Sequence, residues 1–435
     1  MRKCHNFKIS NSKEFIEKLL EWSKQFHYCC LLHSNQQHEA YPKEYQNVTF
    51  LFAVESLKDL HCDKDSFSKL KEFHESNNDW LFGYLSYDLK NELEELNSNN
   101  KGNFNAHQLH FFIPKYVFKL QDNCLTIESY ADLEAVKLIF QEILSTKYVE
   151  ELQPKISFKK RENKKEYIRK INKIKAHIQQ GDIYEMNFCQ EFFSEKVQLT
   201  PESLYLQLNE MTITPFSSFL HLNHHYVAGA SPERFLRKKG TVLLSQPIKG
   251  TRKRGTTKKE DKHLRLALEN SEKDKAENIM ITDLVRNDLS KTAQKASVKV
   301  EELCKVYSFE GVHQMITSIS STIDKKTHFT EVLKTTFPMG SMTGTPKIKA
   351  MELIEYYEST KRGVFSGAVG YITPDGDFDF NVVIRSVLYN RKNKYLSVSV
   401  GGAITINSTP EQEYEECLLK AKKIFELFNY STNER

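Results

Sequence analysis

Several charged residues stand in this sequence where apolar or tightly turned neighbours would ordinarily exclude them. Glu233 follows an apolar run (226–230) in Ser231-Pro232-Glu233-Arg234, on a turn just past a strand end. A carboxylic acid placed there can hand a proton to a leaving group; an ion pair with Arg234 is the plain alternative. Lys249 is framed by Pro247, Ile248 and Gly250. A lysine withdrawn from water favours its neutral amine, which is nucleophilic; the alternative is a lysine leaving a strand into solvent. Glu277 stands in the first turns of an apolar helix over 275–285, where it either gains from the helix dipole or needs a cation as partner. Glu413, Glu416 and Lys420 recur at i, i+3 and i+7, near one face of a last helix. They read either as a Glu–Lys pair one turn apart or, with a carboxylate from a second helix, as a seat for Mg²⁺.

The elements that must position these groups are legible in the pattern. Residues 51–54, 81–85 and 111–113 read as strands, and the polar stretch 97–105 as a surface loop. Tyr167, Ile171, Ile174 and Ile178 recur at helical spacing, and Gly181-Asp182 closes that helix. The lysines on its far face suggest a solvated surface more than an RNA contact. Residues 366–406 read as an antiparallel meander, with a turn at Pro374-Asp375-Gly376-Asp377 and another at Arg391-Lys392-Asn393. Thr409 and Pro410 open the last helix. The Gly-rich stretch from Gly340 to Lys347 lacks the Gly-Lys-Ser/Thr ending of a phosphate loop, yet its backbone N–H groups could still meet a carboxylate.

The chain has 435 residues, 39% hydrophobic and 27% charged, enough for a large core without metal or disulfide staples. A net charge of +5 over this length argues against a dedicated nucleic-acid binder. Eight cysteines without a C-x-x-C pair fit free thiols in a reducing compartment. No apolar run is long enough to span a membrane, and no leader is evident, so a cytoplasmic location is expected. A polar, Lys-rich segment over 147–165 divides residues 1–150 from 151–435.

Taken in order, a series of short motifs resembles the chorismate-utilising enzymes. It runs through Gly181-Asp182-Ile183-Tyr184, Ser231-Pro232-Glu233-Arg234, Pro247-Ile248-Lys249-Gly250-Thr251-Arg252 and Glu277-Asn278-Ile279-Met280. It continues through Gly311-Val312-His313-Gln314, the Gly340 loop, Arg362-Gly363, Gly370-Tyr371, Ile384-Arg385-Ser386, Gly401-Gly402-Ala403 and Glu413-Tyr414-Glu415-Glu416. The resemblance implies that Glu277 and Glu416 hold Mg²⁺ and that Glu233 is a general acid. It implies that Tyr371 and Arg385 grip a carboxylate of chorismate, assisted by Lys420, Gly401 and Gly402. His313 would stand near the ring, with Thr343 and Gly344 lining the pocket. A lysine within Pro-Ile-x-Gly-Thr is similar to the branch that makes 4-amino-4-deoxychorismate, where Lys249 would attack the ring. The anthranilate-forming branch has alanine there and is the alternative; a non-catalytic chorismate or tryptophan binder is a second. Glu185 departs from the lysine of the water-using branch and from the glutamine of amine-using members.

The same resemblance implies a fold: an α+β unit of two packed antiparallel sheets with helices outside. Residues 1–150 would form the N-terminal part of that unit and 151–435 the chorismate-binding region. Leu31-Leu32-His33-Ser34 and Thr214-Pro215-Phe216-Ser217 resemble the two halves of a tryptophan pocket, giving Ser34, Pro215 and Phe216 as its candidates. The ammonia would come from a separate glutamine amidotransferase subunit.

Overall fold

Alternation of buried residues along the strands builds two faces into the central sheet. The computed structural model describes residues 2–46, 49–121 and 123–430. Along Phe50–Cys62, Phe50, Phe52 and Val54 enter one hydrophobic core, while Leu51 and Ala53 enter another. Such period-two burial on both faces means that both must be covered. Helices Ser12–Ser23, Leu133–Ser145, Lys164–Gln180, Pro201–Thr212 and Pro410–Leu427 cover the first face through residues such as Leu19, Ile143, Ile171, Leu204 and Ile424. The second core joins Leu51 and Ala53 to Phe82, Val369 and Phe380 of a second sheet.

The first sheet runs in spatial order Lys3–Lys8, Cys124–Ser129, Leu109–Gln121, Phe50–Cys62, Tyr28–His33, Phe216–Leu222, His225–Ser231, Ser386–Asn390, Tyr395–Ile404 and Glu185–Ser194. The second begins where Leu85 to Phe82 pair with Leu109 to Phe112. It continues through Leu81–Leu85, Ala368–Ile372, Phe378–Val382, Arg234–Lys239, Val242–Gln246 and Val312–Thr322. Ile248–Lys253 and Lys299–Ser308 flank that last strand. All ladders among the described residues are antiparallel. The expected α+β class with antiparallel sheets and outer helices is what the chain forms. The segment around residue 150 divides no sheet, because strands from either side of it pair with each other in both sheets.

The stretch 366–406 is two hairpins in two sheets rather than one meander. Ala368–Ile372 pairs with Phe378–Val382 in the second sheet, and Ser386–Asn390 pairs with Tyr395–Ile404 in the first. The alternation of Phe378, Phe380 and Val382 stops at residues 383–385, where the chain crosses between sheets and Arg385 adopts φ +52°. The chain makes a second crossing at Pro232-Glu233, between His225–Ser231 and Arg234–Lys239. The two crossings are stitched together: Ala230 N–H donates to the Arg385 carbonyl at 3.1 Å, and Val382 N–H to the Glu233 carbonyl at 3.0 Å. All eight described cysteines are free. No helix among the described residues is long and apolar enough to cross a membrane.

Candidate active site

Glu233 and Arg385 thus occupy the two points where backbone passes from sheet to sheet, and the remaining charged groups gather around them. Glu233 is 5% exposed, and burial pushes its carboxyl up to about 7. The Ser341 hydroxyl, Lys249, Arg385 and the Ile248 N–H oppose that rise without cancelling it. A carboxyl poised near neutrality can both donate and accept a proton. The alternative pairing with Arg234 does not form. Arg234 is buried and gives two hydrogen bonds to Asp379, at 2.9 and 3.1 Å, with others to Gln246 and the Tyr45 carbonyl. Arg385, at the other crossing, makes no side-chain hydrogen bond among the described residues. Burial lowers its pKa, while Glu233 and Glu416 act in the opposite sense. A guanidinium stays charged under such conditions, so its planar fork keeps a full charge and unused donors.

Lys249 is only 10% exposed, so the dry setting expected of it is present. The expected neutral amine is not. Its Nζ donates to Glu185 Oε1 at 2.8 Å, and Glu185 is 1% exposed. Burial pulls the amine down, but Glu185, with Glu277 and Glu233 beyond it, outweighs that and raises it above the ordinary lysine value. The sequence could not reveal this, because Glu185 lies 64 residues away and reaches Lys249 from the other sheet. The second oxygen, Glu185 Oε2, is buried with no hydrogen-bond partner among the described residues.

The Gly340 loop holds Glu185 in place. Thr343 accepts from Asn187 N–H at 2.7 Å, and Thr345 accepts from Tyr184 N–H at 2.7 Å. Gly344 lies so close that a Cβ there would stand 2.2 Å from the Glu185 carbonyl. The Thr343 hydroxyl turns back to the Met339 and Gly340 carbonyls. Arg362, fully buried on the Tyr87 ring, braces the loop by donating to the Met342 and Asn187 carbonyls and to Glu358. Lys347 completes the anchoring on Asp288 at 2.9 Å.

Helix Glu272–Ser290 starts at a Ser271 cap and brings Glu277 to this cluster. Its side chain is 18% exposed, with Lys273 at 3.8 Å. Burial pushes Glu277 up to about 7, against the pull of Lys249 and Lys273. Glu416, on helix Pro410–Leu427, is half-exposed. Burial works against its charge, but Lys420 at 2.8 Å, Lys273 and Lys249 outweigh it and hold the carboxyl below the usual range. Lys249 and Lys273 therefore act on both glutamates, which come from separate helices. Lys420 also donates to the Gly401 carbonyl at 2.7 Å. A Cβ on Gly402 would lie 3.2 Å from Glu413 Oε2 and 3.8 Å from Glu416 Oε1, so the bare glycine leaves room above the carboxylates. Hard oxygen donors on two separate helices, one of them a largely buried carboxyl, are chemistry suited to a divalent cation.

Two expected residues lie elsewhere. Tyr371 is not beside Arg385: its ring packs with Trp80 and Phe82, and the charges that act on it are Asp379, Arg234 and Arg237. Strand alternation explains this, since Tyr371 pairs with Phe82 and Asp379 near the far end of Ala368–Ile372. His313 is fully buried with both ring nitrogens engaged, on Asp261 at 2.9 Å and Ser308 at 2.9 Å, leaving neither for a ring. Asp261 also takes Arg254, so His313 positions helix Lys258–Glu269 instead.

Tyr371 instead lines a cleft of about 350 Å³ with Leu32, His33, Pro215, Phe216 and Asn381. The two segments expected to form a tryptophan pocket do meet there. Ser34 is buried at its edge, donating through backbone and hydroxyl to the Thr49 carbonyl. Ser341 and Lys273 went unrecognised in the sequence, because neither carries a spacing that distinguishes it from a loop serine or a helix-surface lysine.

Residues 26–426 match the profile of the chorismate-binding enzymes. The chain is 34% identical over 378 residues to the chloroplastic aminodeoxychorismate synthase of Arabidopsis thaliana, covering 81% of this chain and 41% of that one. It is 36% identical over 261 residues to aminodeoxychorismate synthase component 1 of Escherichia coli K12, covering 60% and 57%. It spans less than half the length of the plant relatives it matches. Anthranilate synthase component I from Streptococcus pneumoniae TIGR4 superposes with a TM-score of 0.77 at 25% identity, over 86% of this chain and 91% of that one. With a family match over nearly its whole length and a solved relative of the same fold, the chain belongs to the chorismate-binding enzyme family.

Proposed function

We propose that this chain converts chorismate and ammonia to 4-amino-4-deoxychorismate, with the ammonia supplied by a glutamine amidotransferase partner. The observation that carries this reading is the Lys249 amine, 10% exposed and held among Glu185, Glu233 and Glu277. A lysine so placed serves addition to a ring carbon, whereas simple binding of an anion needs no three carboxylates around it.

Arg385 orients the substrate through a carboxylate, and its crossing position keeps that carboxylate next to Glu233. Glu185 takes the proton of the Lys249 ammonium, and its unpartnered Oε2 gives the proton a seat. The freed amine bonds to ring C2, the C1–C2 double bond moves to C1–C6, the C5–C6 double bond moves to C4–C5, and the C4–oxygen bond breaks. Glu233, protonated in part at neutral pH, supplies the proton with which the hydroxyl leaves as water. Ammonia then bonds to C4, both ring double bonds return to their first positions, and the C2–lysine bond breaks. The surplus ammonia proton goes to the Glu233 carboxylate, and the lysine recovers its own from Glu185. The sum is one chorismate and one ammonia to one aminodeoxychorismate and one water.

Glu277 and Glu416 would hold Mg²⁺, which when bound neutralises and orients a substrate carboxylate. The protein with chorismate, ammonium and Mg²⁺ is expected to yield aminodeoxychorismate by mass spectrometry, and Lys249→Ala to abolish it while the circular dichroism spectrum is kept. Anthranilate and pyruvate as products would replace the proposal with the neighbouring branch of the family.

A further inference from the structure

We propose a metal site remote from this chemistry, in which Asp59, His61 and His110 bind one first-row divalent transition ion, with Zn²⁺ as the probe. Strands Phe50–Cys62 and Leu109–Gln121 pair so that His61 lies directly opposite His110. Directly opposed residues on one face have Cβ atoms about 5 Å apart. Asp59, two positions before His61, shares its face. His61 Nδ1 lies 3.1 Å and His110 Nε2 3.5 Å from the same oxygen, Asp59 Oδ2. The three donor atoms lie within 4.8 Å of one another. Tetrahedral zinc with bonds of about 2.0–2.1 Å sets its ligand atoms about 3.3 Å apart, a spacing that the two measured distances bracket.

A second observation points to a ligand. The His110 side chain is 5% exposed, and its Nε2 is buried without a hydrogen-bond partner among the described residues. An unpaired ring nitrogen is costly to bury, and a metal bond would satisfy it. The surroundings supply a supporting group: the Tyr28 hydroxyl accepts from Asn223 at 2.7 Å and lies near enough to Asp59 to feel its charge. Groups of this kind orient metal-binding carboxylates. His61 is half-exposed, which leaves a fourth position open to water. Two imidazoles and one carboxylate favour such an ion over Mg²⁺, which prefers oxygen donors. The site shares no residue with the cluster around Lys249, and an ion there would clip together the two strands that both sheets share.

The test is a calorimetric titration of the whole chain with Zn²⁺ in excess Mg²⁺, repeated for His61→Ala, Asp59→Asn and Glu277→Gln, with Co²⁺ absorption as a second readout. The expected result is one equivalent of Zn²⁺ and a tetrahedral cobalt spectrum. Affinity should fall at least about tenfold in His61→Ala and Asp59→Asn, since loss of a mere partner of a ligand costs about 10–100-fold. Glu277→Gln should leave it unchanged. His61 is half-exposed, so its alanine variant keeps the fold. No zinc binding, or binding that survives His61→Ala or vanishes in Glu277→Gln, overturns the site.

Discussion

Replacing Glu185 with glutamine tests how this protein holds its lysine. The Lys249–Glu185 contact is 2.8 Å between side chains 10% and 1% exposed. Two unit charges about 4 Å apart, with an effective dielectric near 20, attract by about 4 kcal/mol. The amide of glutamine still accepts a hydrogen bond, so only part of that is lost. The difference between a charge-assisted and a neutral hydrogen bond puts the loss at about 2 kcal/mol. At about 1.4 kcal/mol per pKa unit, the ammonium should lose its proton about 1.5 pH units earlier. Glu233 and Glu277 act on the amine at longer range and hold the remainder. Competitive acylation of Lys249 across pH, read by peptide mass spectrometry, measures this without substrate. The wild-type amine should react only above the ordinary lysine range, and the variant at distinctly lower pH. Turnover should nevertheless fall by about 100-fold or more, because the amine has lost its proton acceptor. An unchanged acylation profile would refute the ion pair, and full turnover in the variant would refute the role of Glu185.

Four further outcomes are expected. The pH profile of kcat/KM should decline as pH rises through about 7, where Glu233 loses the proton it donates; Glu233→Gln should remove that limb and cost about 10²–10⁴-fold in rate. Mg²⁺ affinity should weaken by about tenfold per pH unit as pH falls below about 7 and Glu277 becomes protonated, as isothermal titration would show. Arg385→Lys should raise the KM for chorismate by at least about tenfold, since a point charge cannot replace a bidentate fork, whereas Tyr371→Phe should leave it within about twofold. Asp379→Ala should destabilise the fold by about 3–5 kcal/mol in denaturant melts, because the Arg234 guanidinium is left buried and unpaired.

What the sequence made legible was mainly local. The helix over Lys164–Gln180 ends at Gly181 with φ +84°, where its pattern placed the stop, and Leu81–Leu85 is the strand its apolar run announced. The charged residues singled out for sitting among apolar neighbours, Glu233, Lys249 and Glu277, do converge, because burial of a charge leaves a compositional trace. What escaped was set by contacts between distant segments. The charge state of Lys249 is decided by Glu185, the placement of Tyr371 by strand phase, and the fate of His313 by Asp261, none of them a sequence neighbour. The meander dissolved for a related reason: turn chemistry announces where a chain bends but not which sheet receives it.

The long strands Phe50–Cys62 and Leu109–Gln121 belong to both sheets at once. A fragment starting near residue 151 would keep every residue assigned to chemistry yet strand two bare β-edges, on Phe216–Leu222 and Ala368–Ile372, whose mates lie upstream. Raw edges of that length recruit other chains. Severing the gene there should give insoluble aggregate instead of a minimal catalyst, while supplying the first 150 residues as a separate peptide should restore solubility.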